Sequence, residues 1–132
     1  MKREELVLLY QFHDAERLER LRAVLKALHI RVRVLKDEDH AEKIGFLLGL
    51  KGFQPAKERE EFTFPHEVMV LQNIRHKRLD AVLEAIKEAG IPKIQYKAVV
   101  TPFNTLWTLQ RLCETMQKEH GAMMDGAAEE NA

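Results

Sequence analysis

The feature that most constrains the fold is a strand–helix–strand pattern that occurs twice in the chain. From Leu6 to Leu35, an apolar run precedes an amphipathic helix and an alternating strand, and the same order returns from Val68 to Val100. The runs Leu6–Phe12 and Val68–Leu71 are apolar at odd and even positions, which is typical of strands buried on both faces. The later strand of each unit alternates apolar with polar residues, which favours a half-exposed strand.

This order predicts an α+β fold of the ferredoxin-like kind, a split βαβ pair with a four-stranded antiparallel sheet, an extra short helix and a long C-terminal helix. In that plan the first and third strands are central, in agreement with their apolar character. A small doubly wound α/β sheet with parallel strands is the alternative. The second face of the sheet also needs cover, which the last helix, the short helix or a second copy of the chain could supply.

A short helix is predicted between the two units, from about His40 to Leu50. Gly45, Gly49 and Gly52 lie in or just after it. A glycine inside a helix costs about 1 kcal/mol relative to alanine, so these glycines indicate close packing or a bend. A phosphate-binding loop is the weaker interpretation, because the Lys-Ser/Thr ending of such loops is absent.

The last helix is predicted to begin at Thr101, as N-cap, with Pro102 in the first turn, and to end near His120. Residues 1–120 are therefore expected to form a single α+β domain. The remaining stretch 121–132 is small, polar and acidic, and is expected to be a disordered tail.

Charge and cysteine content restrict the compartment and the partners. The 132 residues include 21 basic and 21 acidic side chains, so no global field favours nucleic acid. The one cysteine, Cys113, cannot form an internal disulfide and lies among apolar helix positions, which indicates a buried thiol and a cytoplasmic location. The N-terminal stretch has neither signal-peptide nor membrane-span character, so no membrane partner is expected.

The residues that follow the fourth strand form the sharpest candidate site. Thr101, Asn104 and Trp107 could bind a small anionic ligand at a helix N-terminus, with Trp107 as an apolar wall. Lys97 lies at an exposed position of the fourth strand, from which it could neutralise the anion or simply face water. The competing structural interpretation is an ordinary helix cap whose apolar residues pack on the sheet.

Histidines and carboxylates give a weaker candidate. His13, Asp14 and His66 could meet as a metal or acid–base site, because antiparallel central strands place the end of the first beside the start of the third. The acidic turn Asp37–His40 is expected to be solvated. No histidine pairing or cysteine spacing of a defined metal site is present, so no metal, cofactor or catalytic residue is assigned.

Three stretches together carry a family resemblance: the opening strand LVLLYQF with HDAERLERL, the segment Lys43–Gly52, and the segment Lys97–Trp107. They resemble an uncharacterised bacterial family, domain of unknown function 3783, over nearly all of the chain except the tail. The resemblance implies no activity, substrate or cofactor. It implies that four residues are structural hallmarks: Gly45, Gly49, Gly52 and Pro102.

These observations predict a cytoplasmic binding or regulatory module that self-associates, as a homodimer, through its sheet face or its C-terminal helix. The alternative is a small enzyme that acts on an anionic metabolite at the Thr101 helix N-terminus, with His13 or His66 as acid–base. RNA binding has the least support, because the third strand carries no aromatic residue on which bases could stack.

Overall fold

A computed structural model describes residues 4–119 of the chain. Two 3-10 helices interrupt an otherwise regular series of strands and α-helices. The elements are β1 Leu6–Tyr10, α1 Ala15–Ala27, β2 Arg31–Val34, a 3-10 helix Asp37–Ala41, α2 Ile44–Leu47, β3 Val68–Gln72, α3 His76–Glu88, β4 Tyr96–Val99, a 3-10 helix Asn104–Leu106 and α4 Leu109–Lys118. Within residues 4–119, none of the helices has the length and apolar character that crossing a membrane requires.

The four strands form one mixed sheet in the order β2-β1-β3-β4. β1 pairs with β3 antiparallel, while each edge strand runs parallel to the central strand of its own unit. The α+β class and the central position of the first and third strands are confirmed. The fully antiparallel, split arrangement is wrong, because each crossover helix returns the chain to the position directly beside the strand it left. The all-parallel alternative is also wrong, since the two central strands oppose each other.

Helices cover both faces of the sheet. Val7 and Leu9 of β1 point to a cluster with α1 and α3, whereas Leu8 and Tyr10 point to a cluster with α2 and α4. All four side chains are essentially excluded from water. The alternation explains why the central strands carry apolar residues at both odd and even positions. The chain's own α2 and α4 cover the second face.

The first crossover helix, α1, begins directly after Asp14. The Asp14 carboxylate accepts hydrogen bonds from the backbone amides of Glu16 and Arg17, at 3.0 and 3.1 Å, and so caps α1. An N-cap of this kind contributes about 1 kcal/mol.

The predicted helix His40–Leu50 is instead two short pieces, because Glu42 and Lys43 between them are extended. Lys43 forms an isolated antiparallel bridge with Thr108, and this pairing pulls the backbone out of helical geometry. Gly49 then ends α2 with φ +78°, a left-handed conformation that glycine adopts without strain.

The last helix begins at Leu109 rather than at Thr101. Thr108 is its N-cap and accepts a hydrogen bond from the amide of Arg111 at 3.1 Å. Thr101 instead starts a separate turn that leads into the second 3-10 helix, and Trp107 between the two helices is extended. The predicted tail 121–132 lies outside the described residues.

Candidate functional site

The turn after β4 is closed by its own side chains. The Thr101 hydroxyl accepts from the Asn104 amide at 3.0 Å, and the Asn104 side-chain oxygen accepts from the Thr101 amide at 2.9 Å. The Asn104 side-chain nitrogen donates to the Val99 carbonyl at 3.0 Å. Groups that were expected to bind an anion are therefore used to fix the turn, and the helix N-terminus predicted at Thr101 does not exist.

The fixed turn presents two apolar side chains to solvent. Phe103 is 78% exposed and Leu106 is 61% exposed. Trp107, by contrast, packs against the cluster beneath α4, and the Arg111 guanidinium lies 4.3 Å from the centre of its ring. That distance is typical of a cation–π contact. Trp107 therefore anchors the start of α4, while its neighbours face outward.

The glycine-containing segment lies against this turn. The Ile44 amide donates to the Trp107 carbonyl at 2.8 Å, and the Leu109 amide donates to the Glu42 carbonyl at 2.9 Å. Two of the segments that carry the family resemblance thus meet in space.

Glu42 holds the loop that follows the glycine segment. Glu42 as a whole residue is only 3% exposed. Its carboxylate accepts a hydrogen bond from the Ala56 amide at 2.8 Å and forms an ion pair with Arg59 at 2.6 Å. Both carboxylate oxygens are therefore partnered, as burial of a charge requires. The loop is held away from the Trp107 turn, and a groove of about 470 Å³ opens between them. We call it the loop groove; its walls include Lys43, Lys51, Phe53, Pro55, Leu106 and Thr108.

Gly45 is required by the ring of Phe53, which lies where a Cβ at position 45 would be. We expect Gly45→Ala to displace this ring and to lower the free energy of unfolding by about 1–3 kcal/mol. Urea denaturation measures the loss. In a Phe53→Ala background the same substitution should cost much less, and an equal cost in both backgrounds would contradict the assigned contact.

Lys97 is separated from the other predicted site residues by the sheet. It pairs in register with Met69, and the β4 residues on either side of it, Tyr96 and Ala98, point to the α4 side. Its own side chain lies under α3, is 9% exposed and donates to the Ile94 carbonyl at 2.6 Å. The prediction of an exposed position is wrong, because α3 covers this face of the edge strand as well.

Lys97 lines an apolar cavity of about 390 Å³ between α3 and the sheet, which we call the lysine cavity. Met69, Ile86, Ile91 and Ile94, all buried, form much of its wall. Leu83 completes the apolar part of the lining. The charged part consists of Lys97 and the exposed Lys87 and Lys93. Sequence reasoning missed this cavity. The available signal was the spacing of three lysines through a stretch otherwise rich in isoleucine.

The histidine candidate is not assembled. Asp14 is occupied as a helix cap, and the His66 ring lies 5.0 Å from the ring of Tyr96. Residues 4–119 contain no group of three or more histidine, cysteine or acidic side chains that could hold a metal ion. Burial raises the pKa of the Cys113 thiol to about 12, so this residue is a neutral thiol at physiological pH.

Comparison with known proteins gives one match. No curated protein and no solved structure matches the chain. A family model described as Domain of unknown function (DUF3783) matches residues 67–123, a segment that contains the fixed turn and the lysine cavity but neither β1 nor the glycine segment. Residues 67–123, which is less than half of the chain, are therefore similar to the family described as Domain of unknown function (DUF3783).

Proposed function

We propose that this protein is a small binding module whose ligand is an amphipathic anion held in the lysine cavity. The observation that carries the proposal is a buried lysine, Lys97, in the wall of an apolar cavity. The four methylenes of a lysine can follow apolar walls while its ammonium group meets a polar partner. The ligand would place its apolar part against the isoleucines and its anionic group near the lysines.

The size and lining of the cavity support a small molecule. Its volume of about 390 Å³ falls within the range of roughly 300–1,000 Å³ that is common for ligand pockets. Among residues 4–119, the lining contains three lysines and no carboxylate, so the local field favours a carboxylate, sulfate or phosphate group. Apolar walls also exclude water, which strengthens that attraction.

Binding is favoured over catalysis by the chemistry of the lining. Methionine, leucine and isoleucine supply no nucleophile, and no histidine or carboxylate of the described stretch 4–119 lies in the wall of the lysine cavity to transfer protons. We therefore propose a carrier or sensor of the ligand rather than an enzyme that converts it.

We further propose that the module works in the bacterial cytoplasm, on the basis of its family resemblance and its buried thiol at Cys113. Self-association stays a prediction, but the sheet face offers little reason for it, because α2 and α4 cover that face. Because helices cover both faces of the sheet, residues 4–119 present no exposed sheet face on which RNA bases could stack.

Three probes with the same apolar chain and different head charge test the proposal: decanoate, decanol and decyltrimethylammonium. We expect decanoate to bind at least tenfold more tightly than the other two, which corresponds to about 1.4 kcal/mol. At one hundred times its Kd, decanoate should raise the free energy of unfolding by about 2.7 kcal/mol. Isothermal titration calorimetry and chemical denaturation measure the two effects.

Variants then locate the binding. Lys87→Gln combined with Lys93→Gln should remove most of the preference for decanoate, whereas Lys77→Gln, an exposed position on the same helix outside the cavity, should leave it unchanged. Leu83→Trp should weaken all three probes by filling the cavity. Equal binding of the three probes, or binding that Leu83→Trp leaves unchanged, would overturn the proposal. A preference that survives in the double variant would assign the anion to Lys97 alone.

A further inference from the structure

The loop groove and the exposed Phe103 and Leu106 lie on the α2 and α4 side of the sheet, opposite the lysine cavity. We infer that the loop groove, together with Phe103 and Leu106, binds an extended acidic segment of a partner protein that carries apolar anchor residues. We call these elements together the docking surface. The inference is independent of the proposed ligand, because the two sites share no residue.

The exposed apolar pair is built into the backbone. Phe103 and Leu106 are three residues apart in the turn that ends in a 3-10 helix, and the Leu106 amide donates to the Phe103 carbonyl at 3.2 Å. Side chains at this spacing lie on the same side of a 3-10 turn. The Thr101–Asn104 bonds hold that orientation, so the two side chains do not need to be ordered when a partner binds.

The groove beside this pair offers a complementary cleft. Leu106 forms part of one wall, and Phe53 and Pro55 belong to the facing loop, which the buried carboxylate of Glu42 secures. Single exposed apolar residues are common on proteins, but an exposed pair at the edge of an apolar groove is typical of an interaction site.

Charge decides the kind of partner. Lys43 and Lys51 are both exposed in the groove lining, and none of the described residues in that lining is acidic. A negatively charged segment would therefore be attracted, and a positively charged one repelled. A second copy of this chain is disfavoured, because a two-fold contact at the groove would bring the lysines of both copies together.

Labelled synthetic peptides of equal length test the inference by fluorescence polarisation. One alternates glutamate with leucine and phenylalanine, the second replaces glutamate with lysine, and the third replaces the apolar residues with serine. We expect only the first to bind, with an affinity that falls as salt rises. The double variant Phe103→Ser, Leu106→Ser should weaken it at least tenfold, while Val34→Ser, an exposed apolar position outside the groove, should not.

A charge reversal gives the sharpest arm of the test. Lys43→Glu with Lys51→Glu should abolish binding of the acidic peptide and create binding of the lysine peptide. Equal binding of all peptides, or acidic binding that survives the reversal, would overturn the inference. A dimer detected by sedimentation equilibrium and lost in the Phe103→Ser, Leu106→Ser variant would assign the surface to a second copy and would also overturn it. Decanoate binding should be intact in every one of these variants, so failure here leaves the lysine cavity to be judged separately.

Discussion

Leu109→Ala is expected to lower the free energy of unfolding by about 2–5 kcal/mol, whereas Leu106→Ala should change it by no more than about 0.5 kcal/mol. The two leucines are three residues apart and have the same side chain. Leu109 is completely buried at the start of α4, among the residues that cover the second sheet face, while Leu106 is 61% exposed. Removal of the buried side chain leaves a cavity, and removal of the exposed one does not.

Urea denaturation of both variants beside the unchanged protein measures the difference. The comparison tests where α4 begins, since a helix starting at Thr101 would have made Leu106 a packing residue. Similar losses for Leu106→Ala and Leu109→Ala would contradict the observed arrangement of the turn. A stable Leu106→Ala protein would also supply the folded background that the peptide experiments need.

The sheet could be predicted from the sequence in its class and in its central strands, but not in its pairing. The predicted antiparallel sheet and the observed mixed sheet both place the same strands at the centre, Leu6–Tyr10 and Val68–Gln72, with apolar residues on both faces. Both sheets also place Arg31–Val34 at an edge. A right-handed crossover can return one strand away or directly beside its origin. Hydrophobic periodicity is the same in both cases, so it carries no information on that choice.

The candidate site was predictable where the signal was local. Close packing at Gly45 follows from the cost of a glycine in a helix, and the Phe53 ring is the observed partner. The helix start at Thr101 could not be excluded in advance, because threonine suits an N-cap and is present at both position 101 and position 108. The long-range bridge between Lys43 and Thr108 favours the second, and it is not visible in the local sequence.

The two proposed binding surfaces escaped sequence reasoning for a related physical reason. A lysine between Tyr96 and Ala98 is typical of a water-facing strand position, but Lys97 lies beneath α3. Phe103 has the opposite character, since an aromatic residue in a helical pattern is typical of a core position, and yet it is exposed. Burial in both cases depends on where the neighbouring helix is placed, which is a tertiary property.

Alkaline pH is expected to destabilise the protein through two buried groups beneath α4. Burial, and to a lesser degree the nearby charge of Glu114, raise the pKa of Cys113 from 9.0 to about 12. Burial first, and then the charges of Cys113, Asp37 and Asp39, raise the pKa of Tyr10 from 10.0 to about 12. Between pH 9 and 12 the unfolded chain has released protons that the folded protein retains. Stability therefore falls as the pH rises through this window, and it is unaffected by these groups below pH 8.

The expected size for Cys113 alone is about 2 kcal/mol lost by pH 10.5 and roughly 4 kcal/mol by pH 12, because each pKa unit corresponds to about 1.36 kcal/mol. Urea denaturation at pH 7.5, 9.0 and 10.5 measures the fall, and Cys113→Ala is the matched variant. The stability of Cys113→Ala at pH 7.5 reflects the altered packing. Its loss of stability between pH 7.5 and 10.5 should be smaller than that of the unchanged protein by the contribution of the thiol. Tyr10→Phe should also make the pH dependence of stability shallower, but only from about pH 10 upward. The variant also loses the hydrogen bond to the Asp37 carbonyl, which should lower its stability at every pH. Equal slopes for the Cys113→Ala variant and the unchanged protein would mean that the thiol ionises as readily in the folded state as in the unfolded chain, which a side chain sealed beneath α4 does not permit.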